Sequence, residues 1–333
     1  MSATPAPHAR RMIAVVVLVP LVVALALWAF AWPAARVAPR DLPVGVAGPT
    51  AATAQLEHRL ERQEGAFDVH RYADENAARQ AVEDRTVYGA VVLTGHGPEL
   101  LTASAASPLV AQLLRQAVAE QAPEGTTPKV TDVVAAPEDD PRGAALGARV
   151  LPLSLAGVAM GALIVLGGLR GGRAVAVLVG ATGLVGVVGA ALAHSWLGVL
   201  TGDWWTEAGV LALAALAVGG TVAGLGSLIG PAGIGLASGV VVLLGNPFSG
   251  AASAPQLLPE PVGVLGQWLP PGAGATLIRS VSYFDGAAAA GPALTLTVWA
   301  VLGLAAVALG GALRTRAVAS TPAAAAHHAV PAG

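Results

Sequence analysis

The spacing of charge constrains this chain more than any other feature. No Asp, Glu, Lys or Arg occurs from Met12 to Ala35, from Val150 to Leu169, from Ala174 to Gly202, from Ala208 to Pro259 or from Gly286 to Leu313. A bilayer crossing needs about 20 apolar residues, so four of these gaps each hold one helix. The long gap, 208–259, needs dividing. Gly226-Ser-Leu-Ile-Gly-Pro-Ala-Gly233 is turn-like and contains Pro231. It separates a span over about 208–226 from a shorter one over about 230–245. The remainder, 246–259, is rich in Pro, Ser and Gly and is no span. Six helices are expected, the fifth short enough to be re-entrant. Only 11% of the residues are charged, against about 25% in soluble domains. The 42 glycines suit helices that pack closely in lipid.

Arginines in the short loops set an orientation. Arg10 and Arg11 precede the first helix, Arg170 and Arg173 lie between the second and third, and Arg314 and Arg316 follow the sixth. Six crossings put all of them on one side. The opposite loop, Thr201-Gly-Asp-Trp-Trp-Thr-Glu207, is acidic and carries two interfacial tryptophans. Both termini are then cytoplasmic in a multi-pass plasma-membrane protein. Arg36, Arg40, Arg142 and Arg149 fall on the wrong side of this scheme, though they flank a long translocated loop. The first span has a rival reading as a signal peptide, since Ala29-Phe-Ala31 fits an A-x-A cleavage site. Its apolar core is longer than such a signal needs, so a retained anchor is the expectation.

The organisation follows: a cytoplasmic N-terminus at 1–11, a first helix at 12–35 and an extracytoplasmic α/β domain at 36–149. A five-helix membrane domain covers 150–313, with an outer re-entrant or interfacial segment at 246–285. A disordered cytoplasmic tail, including His327 and His328, covers 314–333. The fold class is a polytopic α-helical membrane protein with a small α/β domain between helices 1 and 2. In that domain Leu42–Ala47, Ala66–Tyr72 and Val87–Leu93 read as strands, with further strands at Glu99–Ala103 and Lys129–Ala135. Helices start at Pro49-Thr50, after Asp74 and at Ser107-Pro108.

The chemistry is sparse. Cysteine is absent and the single lysine, Lys129, stands in Thr-Pro-Lys-Val. No P-loop, thiolate site or cysteine nucleophile is available. His58, His70 and His96 are scattered, and Glu57, Glu61 and Glu64 sit beside Arg59 and Arg62 as a solvated helix face. The run Glu138-Asp-Asp140 reads as a linker. No catalytic residue, metal site or nucleic-acid patch is expected, and the chain reads as no enzyme. Within the spans the ionisable candidate is His194, read as a headgroup-level histidine, so an ion-coupled carrier lacks its carboxylates. Gly157/Gly161, Gly220/Gly224 and Gly235/Gly239 have the Gly-x-x-x-Gly spacing of helix packing.

The most informative stretch follows the fifth helix: Gly245-Asn-Pro-Phe-Ser-Gly250, then Leu265-Gly-Gln-Trp-Leu-Pro-Pro-Gly-Ala273 and Arg279-Ser280. Val262, Leu265 and Leu269 have helical spacing, as do Leu277, Val281 and Phe284. Two short amphipathic segments that dip into the outer leaflet fit this pattern. With the strand–helix order of 42–92 and the one-plus-five layout, these residues give a resemblance over about 12–313. The chain resembles the permease subunits of type-2 ABC transporters. The nearest branch has a large outer domain between the first two helices and includes phage-infection-protein-like membrane proteins.

The resemblance implies an exporter half moving an amphiphilic or hydrophobic substrate outward, an efflux role. It implies a homodimer or a heterodimer with a related permease, within the lipid bilayer. A cytoplasmic ABC ATPase subunit would drive it, so the chain has no cofactor of its own and ATP enters through the partner. The implied substrate pathway passes Asn246, Ser249, Gln267, Trp268 and Arg279. ATPase coupling would fall on Arg170 and Arg173, in a loop that is short for this role. The alternative is a non-transporting envelope protein whose extracellular domain binds a partner or wall component.

Overall fold

The computed structural model describes residues 7–63, 65–95, 97–121 and 128–319. His96, Glu64 and the tail from 320 onward, including His327 and His328, lie outside them.

The chain begins with α1 (Pro7–Ala34). Five strands follow: β1 (Leu42–Ala47), β2 (Phe67–Tyr72), β3 (Gly89–Thr94), β4 (Gly97–Thr102) and β5 (Lys129–Asp132). They form one sheet in the order β2-β1-β3-β4-β5. β1 pairs parallel with β2 and β3, β3 pairs antiparallel with β4, and β4 pairs parallel with β5. The parallel pairs need crossover helices. These are α2 (Thr50–Glu61), α3 (Glu75–Glu83) and α4 (Pro108–Gln121). Asp74 caps α3 by accepting from the Ala77 N–H at 2.9 Å, and the Ser107 hydroxyl accepts from the Val110 N–H at 3.2 Å at the start of α4.

The two faces of the sheet pack differently. On one, Leu42, Val44 and Leu100 meet Val110 and Leu114 of α4. A largely apolar cavity of about 310 Å³ remains there between the sheet, α2 and α4, and half-buried Leu56 and Leu60 help to wall it. On the other, Ala78, Ala81 and Val82 of α3 cover Ala47, Ala90 and Val92.

Beyond the sheet come α5 (Ala144–Ala148), α6 (Val150–Leu166), α7 (Gly171–Ala190), α8 (Trp204–Ile229), α9 (Pro231–Gly239), α10 (Val262–Gln267), α11 (Pro270–Tyr283) and α12 (Ala290–Ala319). Wide π turns extend α7 through Trp196 and α9 through Gly245. Among the described residues five helical segments are long and apolar enough to cross a membrane: 15–34, 144–166, 171–196, 204–229 and 290–314. Pro231–Gly245 is apolar but shorter, about 22 Å at 1.5 Å per residue. The fifth crossing read from sequence is thus below full spanning length by itself.

α8 is the centre of the bundle. It packs against α6, α7, α9, α11 and α12. Its run from Ala214 to Gly224 is made of small and apolar residues and is mostly buried, so a helix that is apolar all round has taken the interior position. Glycine sets the approach distances. A Cβ on Gly157 or Gly161 would meet Val218 or Val222 of α8 at 2.8 Å, and one on Gly224 would meet Ala306 of α12 at 2.8 Å. Gly220 lies against Gly303, 3.6 Å from such a Cβ. Gly235 and Gly239 differ: nothing lies within 4 Å of either, so within this chain they pack no helix. Gly186, Gly303 and Gly310, which have no four-residue glycine partner, are as tightly packed as the α6 pair.

α10 and α11 form a hairpin inside one end of this bundle. Pro270 and Pro271 share a small cavity lining with Ala214 and Val218 of α8, roughly 15–20 Å along α8 from Trp204. At the other end of α11, the backbone around Val281 and Ser282 closes on Gly202. The hairpin therefore descends about halfway into the bundle and returns. Trp299 of α12 braces its tip by donating to the Trp268 carbonyl at 2.8 Å. α1 stands apart along most of its length and touches the bundle chiefly near its end, where Trp32 packs against Phe248, Leu258 and Val262.

Candidate functional site

The sheet sits on the hairpin end of the bundle, and a cavity of about 420 Å³ lies in the joint. Arg85 and Tyr88 enter it from the sheet domain, Gln267, Trp268 and Arg279 from the hairpin, and Thr295 from α12. Arg85 follows α3 in the left-handed region (φ 59°). This turn ends the helix and aims the side chain at the bundle. The Arg85 guanidinium donates to the Thr276 carbonyl at 3.2 Å and to the Ser280 hydroxyl. It also lies over the Phe284 ring at 5.2 Å, a cation–π contact. Tyr88 donates to Gln256 at 2.8 Å. Burial holds the Arg85 guanidinium below its ordinary value and pushes the Tyr88 phenol up.

Gln267 is fixed at both ends. It accepts from the Thr276 hydroxyl at 2.6 Å and donates to the Ser249 carbonyl at 2.9 Å. Arg279 is almost wholly buried, 4% exposed, and donates one hydrogen bond, to the Ala251 carbonyl. Asn246 and Ser249 lie behind the cavity, outside its lining. Asn246 donates to the Val241 carbonyl at 3.2 Å, and Ser249 donates to the Asn246 carbonyl at 2.7 Å. They shape the turn that leaves the π-helical end of α9. Three of the five residues named from sequence thus meet in one cavity, and the other two support it.

The charge of the cavity is one-sided. Its lining contains two arginines and no acid. Among the described residues neither Arg85 nor Arg279 is in an ion pair. Arg149 adds positive charge nearby, beside Tyr283 and within the field of Asp140 and Glu207. Sequence reasoning missed Arg85 and Tyr88, because nothing local marks the end of a surface helix as facing a membrane domain.

Glu207 corrects the sequence reading. The sequence places it in an interfacial acidic loop, but it is fully buried at the first turn of α8. Its carboxylate pairs with His194 Nδ1 at 2.8 Å and accepts from the Gly202 N–H at 2.9 Å. His194 is therefore paired with a buried carboxylate. The bundle does hold a buried carboxylate, and its two partners satisfy it.

At the far end of the bundle the link between α6 and α7 is only 167–170. Arg170 and Arg173 are exposed there, near exposed Arg314 after α12. Among the described residues no cluster of three or more His, Asp or Glu could hold a metal.

Comparison with known families adds one finding. Residues 10–131 match the family model for ABC-2 family transporter proteins. The match runs from α1 through most of the sheet and covers little more than a third of the chain. It does not reach the hairpin or the helices after it. No curated protein and no solved structure matches the chain.

Proposed function

We propose that this chain is the permease subunit of an ABC-type exporter, moving an amphiphilic or hydrophobic substrate outward and driven by a separate ATPase. The single observation that carries this reading is the likeness of residues 10–131 to ABC-2 family transporter proteins. The architecture agrees with it. A hairpin returns halfway into the bundle, and a cavity opens where a substrate would leave, beneath the sheet domain.

On this reading there are six crossings, with Pro231–Gly245 as the short fifth. Both termini and the Arg170–Arg173 end are cytoplasmic, and the sheet domain is outside. Two of the arginines that opposed this orientation, Arg36 and Arg40, are held by the chain itself, and a third, Arg149, is packed against it. Arg36 lies over Trp32 at 5.7 Å, Arg40 donates to the Ala38, Leu257 and Arg36 carbonyls, and Arg149 lies beside Tyr283. The exposed apolar length of α1 is a surface for lipid or for a second permease chain. One observation favours the non-transporting alternative. The link at 167–170 offers a partner ATPase little surface.

Co-purification decides between them. A C-terminally tagged chain, extracted from native membranes in mild detergent, should carry an ATP-hydrolysing subunit in near-equal amount. Arg170→Glu with Arg173→Glu should lose that subunit while the chain stays folded. An intact, monodisperse chain without any ATPase overturns the transporter reading.

A further inference from the structure

We infer that the cavity beneath the sheet domain binds the anionic head group of an amphiphile, a phosphate or carboxylate, between Arg85 and Arg279. This names the substrate class for the cavity already assigned to the export path, and it rests on that reading.

Three observations carry it. First, Arg85 and Arg279 approach from two separately folded parts, the sheet domain and α11, and both line the same cavity. The Arg279 guanidinium lies in the repulsive field of Arg85. Removing a cation from water without a counter-charge is costly, and two together more so. An anion between them relieves both costs. Second, the donors are available. A guanidinium carries five N–H groups, and Arg279 donates one bond, to the Ala251 carbonyl. The planar fork of arginine matches a carboxylate or phosphate in two bonds. Third, the same cavity has an apolar lip. Trp268, in the lining, is 67% exposed; Val264 and Leu265, outside the lining but one turn back along α10, are 60% and 45% exposed. A bare tryptophan next to two exposed aliphatic residues suits an acyl chain far better than water. Cationic floor and apolar lip together describe an amphiphile with a negative head. They do not describe a free anion, which would leave the lip unused.

The test uses the purified full-length chain in detergent and native mass spectrometry, with phosphatidylglycerol, phosphatidylcholine and inorganic phosphate as probes. Phosphatidylglycerol should bind at least tenfold more tightly than phosphatidylcholine, and millimolar phosphate should not displace it. Arg279→Gln and Arg85→Gln should each weaken phosphatidylglycerol about tenfold or more, the scale of one lost charge-assisted bond. Arg279→Lys, which keeps the charge but loses the planar fork, should retain only part of the selectivity. Should Arg279→Gln fail to fold, Trp268→Ala, which alters an exposed side chain, carries the test. It should weaken long-chain phosphatidylglycerol and leave a six-carbon analogue unchanged. Equal binding of the two lipids, or selectivity that survives both glutamine variants, overturns the proposal. Displacement by phosphate alone also overturns it and points to a free-anion site. The assay contains no ATPase. Loss of selectivity with ATPase capture intact sinks this inference alone, and selectivity without capture sinks the permease reading.

Discussion

Two buried carboxylates show what single residues decide here. Glu207 holds the π-helical end of α7 and the loop at Gly202 onto the start of α8. Glu207→Ala leaves a half-buried imidazole and a backbone N–H without a partner. The expected cost is about 1–3 kcal/mol, read as a lower unfolding temperature in detergent, and Glu207→Gln should recover part of it. Glu99, on β4, accepts from Thr131 at 2.7 Å and pairs with Lys129 at 2.9 Å. Burial by itself would raise the Glu99 carboxyl, but the bonds from Thr131 and Lys129 overcome it and hold the group below its ordinary value. A depressed carboxyl contributes stability above the unfolded value of about 4.5, which is lost as pH falls through the folded one. The full chain should therefore lose stability below about pH 4.5, and Glu99→Gln should flatten that part of the pH–melting curve. An unchanged curve would mean that this pair contributes nothing. Neither role is visible in the sequence, where Glu207 closes an acidic loop and Glu99 follows a proline.

At the level of elements, the glycines separate motif from contact. Gly161→Leu should push α6 off α8, because the new side chain meets Val222 at its first carbon. Loss of monodisperse protein on size exclusion, or a melting temperature lower by many degrees, is the expected result. Gly235→Leu should leave the isolated chain unperturbed, since its Cβ enters open space. If Gly235→Leu proves as damaging, α9 packs against something outside this chain, and cross-linking from that position would show it. The Gly-x-x-x-Gly spacing is equal in the two cases, so the pattern says that a groove exists and not what fills it. Strand and helix starts were more legible. The run 42–47 forms β1, and Asp74 and Ser107 make their capping bonds, because these preferences act within a few residues. The hairpin tip was legible in outline, from two prolines after a short amphipathic run. Its depth depended on the cleft that α6, α8 and α12 leave open.

For the molecule as a whole, the proposed topology makes a test that the composition favours. The chain has no cysteine, so single cysteines report cleanly. Gln112→Cys, on an exposed position of α4, should react with a membrane-impermeant maleimide on intact cells. Gly172→Cys, exposed at the start of α7, should react only after permeabilisation. The reverse pattern would invert the orientation and place the cationic cavity on the cytoplasmic side. Equal reaction of both sites on intact cells would rule out the proposed crossings. The sequence by itself determined where the apolar spans lie and where a polar domain interrupts them. Those properties depend on charge and hydropathy summed over neighbouring residues, and a bilayer reads them segment by segment. Only the tertiary structure decided that Arg85 and Arg279, far apart in the chain, share one cavity, that Glu207 lies inside, and that α8 is the central helix. Each of these is a contact between residues with no local signal, fixed by how closely glycine-lined helices approach and by which sheet face meets the bundle.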